Sequence, residues 1–340
     1  LRRIITGIGD KNGIETEAGF DITPASEIMA IMCFATSVDD LRRRIDNILL
    51  GITEDDKPFT VKDMGVGGSI VALLLDALKP NLVQTTEGTP AFVHCGPFAN
   101  IAHGCNSVMA TAAALEYGDY AITEAGFGAD LGAEKFYNIK CRKTGLQPDL
   151  TVLVVTLQAL KMHGGVAQED IKKPNVAGME AGYWNLDKHV KNLQSFGQTV
   201  VIAFNKFATD TDKEIEVLRK HCEEMGCGFA VNNAFAEGGK GAMELAELVV
   251  KTIDEHPSAP LYFTYDDDEP VEKKIEDVAF NLYGAGSVTL SDSAKSMIEE
   301  IKKLGAEKFP ICIAKTQYSF STDAKAYGPT EGFELHVRDI

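Results

Sequence analysis

The chain has 340 residues, 45% hydrophobic and 24% charged, a composition that excludes disorder and leaves enough apolar matter for a large core. A formal charge of −17 at pH 7 and an isoelectric point near 4.9 exclude a broad basic face for nucleic acid. Seven cysteines at irregular spacing are no disulfide framework, and the longest apolar run, Leu150 to Leu157, is too short to cross a bilayer. A soluble cytoplasmic protein with no membrane partner is expected.

In chain order, Thr23 reads as a helix N-cap with Pro24 at the first helical position, and a helical pattern runs on through Ala35. Arg42, Arg43 and Arg44 fall in an amphipathic segment and are expected to form a solvated face balanced by Asp39, Asp40 and Asp46. Strands are predicted at Asn81 to Thr85, Ala91 to His94, Tyr120 to Glu124, Leu150 to Leu157, Thr199 to Asn205 and Gly228 to Asn232. Several are apolar without alternation, as parallel strands buried on both faces are. Between the last two, Ile215, Leu218, Cys222 and Met225 make one helical stripe that Gly226 ends. The fold class is therefore α/β, a mostly parallel sheet with flanking helices and smaller flanking subdomains. Boundaries are expected near 65 and 255: a partly helical flank over 1–65, the sheet domain over 66–255 and an α+β flank over 256–340, which includes the alternating segment 309–320. The chain starts without Met and stops within a strand-like pattern at 337–340, so a piece of a longer polypeptide is expected.

The segment Tyr120 to Lys135 carries the strongest chemical signal. An apolar run feeds a loop with Gly126, Gly128 and Gly132 that opens a helix, and bare backbone N–H groups at a helix N-terminus suit an anion. The alternative is a tight turn in which these glycines supply positive φ. No G-x-x-x-x-G-K-S/T phosphate loop is present, and the glycine spacing does not match the dinucleotide fingerprint G-x-G-x-x-G. His94, Cys95, His103 and Cys105 invite zinc, but their spacing lacks short ligand pairs, and packing or hydrogen bonding by the two histidines is the simpler reading. Lys161 and His163 follow the strongest strand and Glu124 stands at the mouth of another. Phosphate binding, proton transfer, positioning of a cation and ordinary loop hydrogen bonding all stay open for these three.

Taken together, Thr89 to His94, Gly96 to Ser107, Thr123 to Phe136, Ala159 to Val166 and Ala314 to Ser319 closely resemble formate-tetrahydrofolate ligase over essentially the whole chain. The resemblance implies a P-loop NTPase-like core whose phosphate loop lies upstream of Leu1, and a C-terminal end beyond Ile340. It implies Mg-ATP, formate and tetrahydrofolate as substrates, a monovalent cation and a homotetramer. In that reaction ATP phosphorylates formate to formyl phosphate, and N10 of tetrahydrofolate then attacks the formyl carbon. By the same resemblance Gly126 lies beside the formyl phosphate, and Phe207 and Phe235 stack on the pterin. Three residues depart from the family's habit: Phe235 stands for a common Trp, Ala208 for Pro and Cys95 for Gly. The competing expectation is a ligand-binding piece with no activity of its own.

Overall fold

The structure, a computed structural model, describes residues 3–19 and 26–340. It divides into two compact units, residues 1–83 with 90–124, and residues 84–89 with 125–340. The boundaries expected near 65 and 255 fall inside these units.

In the first unit, β1 (Ile4–Thr6) and β2 (Thr16–Ala18) pair antiparallel. Helix α1 (Glu27–Phe34) begins at Ser26, whose hydroxyl accepts from the Met29 N–H; the cap expected at Thr23 and Pro24 lies outside the described residues. Helix α2 (Val38–Asp46) carries the three arginines as expected: Arg42 pairs with Asp46 at 2.7 Å, Arg44 with Asp40 at 2.9 Å, and Arg43 with Asp40. An antiparallel pair, β3 (Leu49–Ile52) and β4 (Pro58–Thr60), leads into α3 (Val61–Met64) and α4 (Gly67–Leu74). Met32, Ala35, Leu41, Ile45, Val61, Val71 and Leu78 from these helices form the core. Then come β5 (Asn81–Gln84), paired with β6 (Pro90–Val93), and α5 (Val108–Tyr117), capped by Ser107. Residues 121–124 form no strand: Tyr120 and Ile122 face solvent, and apolar character alone does not supply a backbone ladder.

The second unit begins with helix α6 over 129–144, which contains two π-helical stretches, Ala129–Ala133 and Phe136–Cys141. Next, β7 (Thr151–Val155) is followed by α7 (Leu157–His163), α8 (Val176–Ala181) and α9 (Tyr183–Ser195). The expected βαβ unit follows as β8 (Val200–Asn205), α10 (Asp212–Glu224) and β9 (Gly228–Asn232). The three strands make a parallel sheet in the order β7-β8-β9, with Thr151 opposite Val200 and Val201 opposite Gly228. Central β8 is buried from Val200 to Phe204, which is why its sequence is apolar without alternation. Beyond it lie α11 (Ala234–Glu237), α12 (Met243–Glu255) and α13 (Val271–Val278). A second parallel pair, β10 (Ser287–Leu290) with β11 (Glu334–Val337), packs with α13 and α14 (Asp292–Lys303) around Val271, Ile275, Ala279, Ile298 and Leu335. The alternating segment 309–320 is not a strand; it buries Lys315, Ser319 and Phe320 against the unit without joining a sheet. Among the described residues no helix is long and apolar enough to cross a membrane.

Candidate functional site

The glycine-rich loop enters α6 directly, and its backbone differs from the alternative of a tight turn built on positive-φ glycines. Positive φ falls on Phe127, at 59°, whereas Gly128 has φ −69° and ψ 161°. Glycine is required at 128 and 132 for space. A Cβ on Gly132 would lie 2.1 Å from the Gly126 carbonyl oxygen, and one on Gly128 would lie 2.6 Å from Asp130 Oδ1 and 3.3 Å from His189 Cε1. Gly126 itself is half-buried in the loop.

Every residue from 129 to 141 is buried, including Asp130, Glu134, Lys135, Asn138 and Lys140. A helix so polar and so fully covered must place each charge against a partner. Its π turns add a residue to the local repeat, a distortion common at functional sites. Asp130 Oδ2 meets Lys315 Nζ at 2.7 Å, and Lys315 also donates to the carbonyls of Ser319 at 2.6 Å and Thr316 at 3.1 Å. The ammonium lies 4.9 Å from the ring centre of Tyr283, which is fully buried. Glu134, further along α6, accepts from Asn138 at 2.8 Å, yet burial pushes its carboxyl up to about 7.

Two histidines share the neighbourhood of Asp130. Burial holds His189 down to about 4 against the pull of the Asp130 carboxylate, and lowers His163 in the same way. Both are neutral at pH 7. The His189 ring lies 4.5 Å from Phe320, and the His163 ring 6.0 Å from Trp184 and 5.9 Å from Tyr327. Buried polar atoms normally find partners, yet His163 Nδ1, His189 Nδ1, Trp184 Nε1 and the Tyr283 hydroxyl have none among the described residues. Four such atoms in the neighbourhood of one ion pair describe a polar site that a ligand or ordered water completes.

Lys161 belongs to a different network. The side chains of Lys161 and His163 leave a helix about 200° apart, since each residue turns it by ~100°. Lys161 points to Glu214 on α10, 2.7 Å away with both side chains buried, and donates to the Lys173 carbonyl at 2.8 Å. The Glu214 carboxylate also accepts from the Thr211 hydroxyl at 2.6 Å and the Asn175 N–H at 2.8 Å. These donors, with the Lys161 charge, hold its pKa below the ordinary value despite burial. Helix α7 is fixed to α8 through glycine contacts: a Cβ on Gly164 would lie 1.9 Å from the Gly178 carbonyl oxygen, and one on Gly182 1.9 Å from that of Leu160.

Phe207 and Phe235 stand just past the carboxyl ends of the neighbouring parallel strands β8 and β9, where open parallel sheets take ligands. Phe207 is 45% exposed and Phe235 103%, values that exclude core packing for either ring. Their loops are tied together: Asn232 Nδ2 donates to Asn205 Oδ1 at 2.8 Å, and the Lys206 N–H to the Asn232 carbonyl at 3.0 Å. Asp210 closes the Phe207 turn by accepting its N–H at 2.8 Å. Beyond Phe235, Glu87 accepts the Gly239 N–H at 2.8 Å.

The other expected residues lie in the first unit. Glu124 is its last residue and is exposed. His94 is buried, its Nε2 donating to the Ala77 carbonyl at 2.8 Å and its Nδ1 2.6 Å from the Ser107 hydroxyl. The His103 ring packs 4.8 Å from Phe34. Among the described residues no group of three or more His, Cys, Asp and Glu is arranged to hold a metal.

A family model described as formate--tetrahydrofolate ligase matches residues 1–340. The chain belongs to this family. Relatives named formate--tetrahydrofolate ligase are 66% identical in Bacteroides fragilis, 65% in Bacteroides thetaiotaomicron and 60% in Porphyromonas gingivalis. Each match covers 100% of this chain and 61% of the relative, so the chain spans about three fifths of the length of these curated relatives. Membership in the formate--tetrahydrofolate ligase family fits the α/β fold and sets aside the dinucleotide-dependent reading. Asp130 and Lys315 were absent from the sequence-based site, although both lie inside motifs that carry the family resemblance. His189 and Tyr283 had no such signal.

Proposed function

We propose that this chain supplies the folate-binding and acyl-phosphate-binding faces of a cytoplasmic, homotetrameric ligase that joins formate to tetrahydrofolate at the expense of ATP. The observation that carries this reading is the pair of exposed rings, Phe207 and Phe235, on tied loops at the carboxyl edge of β8 and β9. A flat pterin between two such rings gains about 0.5–1.5 kcal/mol per face beyond area burial. Formyl phosphate sits beside Gly126, where the glycine-rich loop enters α6. As N10 attacks the formyl carbon and phosphate leaves, neutral His163, with its unpartnered Nδ1, takes the N10 proton. Lys161 acts on structure rather than on phosphate, because its ammonium is already paired. Among the described residues the acidic groups do not form a magnesium cage.

The test is steady-state kinetics on the intact enzyme. Phe207→Ala and Phe235→Ala should each raise the KM for tetrahydrofolate about tenfold or more and leave that for formate within about twofold. Unchanged folate KM in both variants would remove the assignment. The 340 residues alone hold no phosphate-loop motif, and we expect them to bind folate without turnover; ATP- and formate-dependent product from the purified chain would contradict that.

A further inference from the structure

Three polar side chains of α9 surround the buried ring of Phe320. The Lys188 ammonium lies 5.1 Å from its centre, the His189 ring 4.5 Å and the Trp184 ring 6.1 Å. Trp184 and Lys188 are one helical turn apart and so share a face of α9. Their donors are unused. Among the described residues, Trp184 Nε1 and His189 Nδ1 are buried without a hydrogen-bond partner. The Lys188 side chain is only 14% exposed, donates no hydrogen bond among the described residues, and faces only the carboxylate of exposed Glu331, at 4.0 Å. Its ammonium is pressed against the backbone, for a Cβ on Gly284 would lie 2.3 Å from Lys188 Nζ. The Asp130 carboxylate in the same neighbourhood is already engaged by Lys315 at 2.7 Å. The balance is an excess of donors: a cation with no close counter-charge, an indole N–H that can only donate, and a neutral imidazole. Burial holds the Lys188 pKa below the ordinary lysine value, as it does for a cation withdrawn from water.

We propose that Lys188, Trp184 and His189 form a binding subsite for a tetrahedral phosphoryl oxyanion, either free phosphate or the phosphoryl end of a larger molecule. Such an anion supplies the missing half of each interaction: negative charge for the ammonium, and acceptor oxygens for the indole and imidazole N–H groups. The class follows from the donor set. Donors on three separate side chains are matched one to one by the oxygens of a tetrahedral anion, whereas a formate carboxylate has only two. Water satisfies the neutral donors but leaves the charge of a mostly buried ammonium uncompensated. Because the chain as a whole carries −17, the ion is held by these local donors against the general field. The subsite adjoins the glycine-rich loop, since a Cβ on Gly128 would lie 3.3 Å from His189 Cε1. It is built on α9 and stands independently of where the acyl phosphate of the proposed reaction lies.

The experiment titrates the intact enzyme, without nucleotide, formate or folate, with inorganic phosphate and separately with acetyl phosphate at constant ionic strength. Trp184 is the single tryptophan of this chain, and the difference in fluorescence between the parent and Trp184→Phe isolates its emission. That difference should change saturably; a response to inorganic phosphate identifies the free ion, and a response to acetyl phosphate only, the phosphoryl end of a larger molecule. Lys188→Met should raise the Kd about tenfold or more, because it removes the charge that pairs with the anion. The same variant should melt at or above the parent temperature, since it deletes a mostly buried charge that no protein group closely neutralises. A lysine with a purely structural partner would do the reverse. Three results would overturn the proposal: no Trp184 response to either ligand, a response of equal affinity in Lys188→Met, which marks an adventitious ion only, or a Lys188→Met enzyme that melts more than about 5 °C below the parent.

Discussion

Replacing Lys161 by Met separates the role the structure gives this residue from the phosphate-binding role its position suggested. Met keeps most of the side-chain volume and removes the charge. Glu214 is then left with its carboxylate buried, supported only by Thr211 and Asn175. Removing one partner of a buried ion pair costs about 3–5 kcal/mol. A unit of this size loses roughly 2–4 °C in melting temperature per kcal/mol, so the variant should melt about 6–20 °C below the parent. Because the pKa of Glu214 is depressed in the fold, its stabilisation is present above its ordinary value of 4.5 and is lost as pH falls through the folded value. The defect should therefore shrink in acid, and Lys161→Met with Glu214→Gln should recover part of it. Thermal melts of the three variants between pH 4 and 8 measure this directly. A Lys161→Met chain that melts within about 2 °C of the parent at pH 7 would refute the structural role and return the residue to ligand binding.

Glu134 gives the opposite pH signature. Its carboxyl is raised to about 7, so the folded state binds the proton more tightly than the unfolded chain does, and stability falls as pH rises from its ordinary 4.5 to 7. The penalty above pH 7 is on the order of 3 kcal/mol, and Glu134→Gln should remove it, raising the melting temperature at pH 8 while changing little at pH 4. Gly132→Ala places a methyl within 2.1 Å of a backbone oxygen and should lower stability by at least ~1–3 kcal/mol in denaturant titration; a neutral result would mean the loop moves aside. Gly126→Val should cost at least ~10²-fold in kcat of the intact enzyme with the melting temperature near the parent's, and a folded, active variant would move the intermediate elsewhere. Phe235→Ala, which removes a ring already in solvent, should leave the melting temperature within about 1 °C of the parent's.

Periodicity found what burial dictates. β8 is apolar because both its faces are covered, and α10 shows its stripe because Ile215, Leu218 and Cys222 face one core. The same reasoning misread residues 120–124, since apolar character does not by itself make a pairing strand. At the glycine loop the expected residues were legible but their physical reason was not. Positive φ belongs to Phe127, whereas Gly128 and Gly132 are glycine because Asp130, His189 and the Gly126 backbone leave no room for a methyl. His189 and Tyr283 reach Asp130 from elements 59 and 153 residues away in the chain, a proximity that no local pattern records. Lys161 and His163 read as one pair in the sequence; helical geometry sends them to separate networks.

Helix α7 is consequently a lever with a load at each side. It is only seven residues long, and the glycine contacts with α8 deny it room to slide. Lys161 couples it to Glu214 and so to the turn that carries Phe207, while His163 couples it to the surroundings of Asp130. A pterin that settles on Phe207 and an acyl phosphate that settles by the glycine loop would therefore push on the same rigid rod. On the proposed function, any change that one of these ligands made to the affinity of the other through this helix would be returned by the same factor.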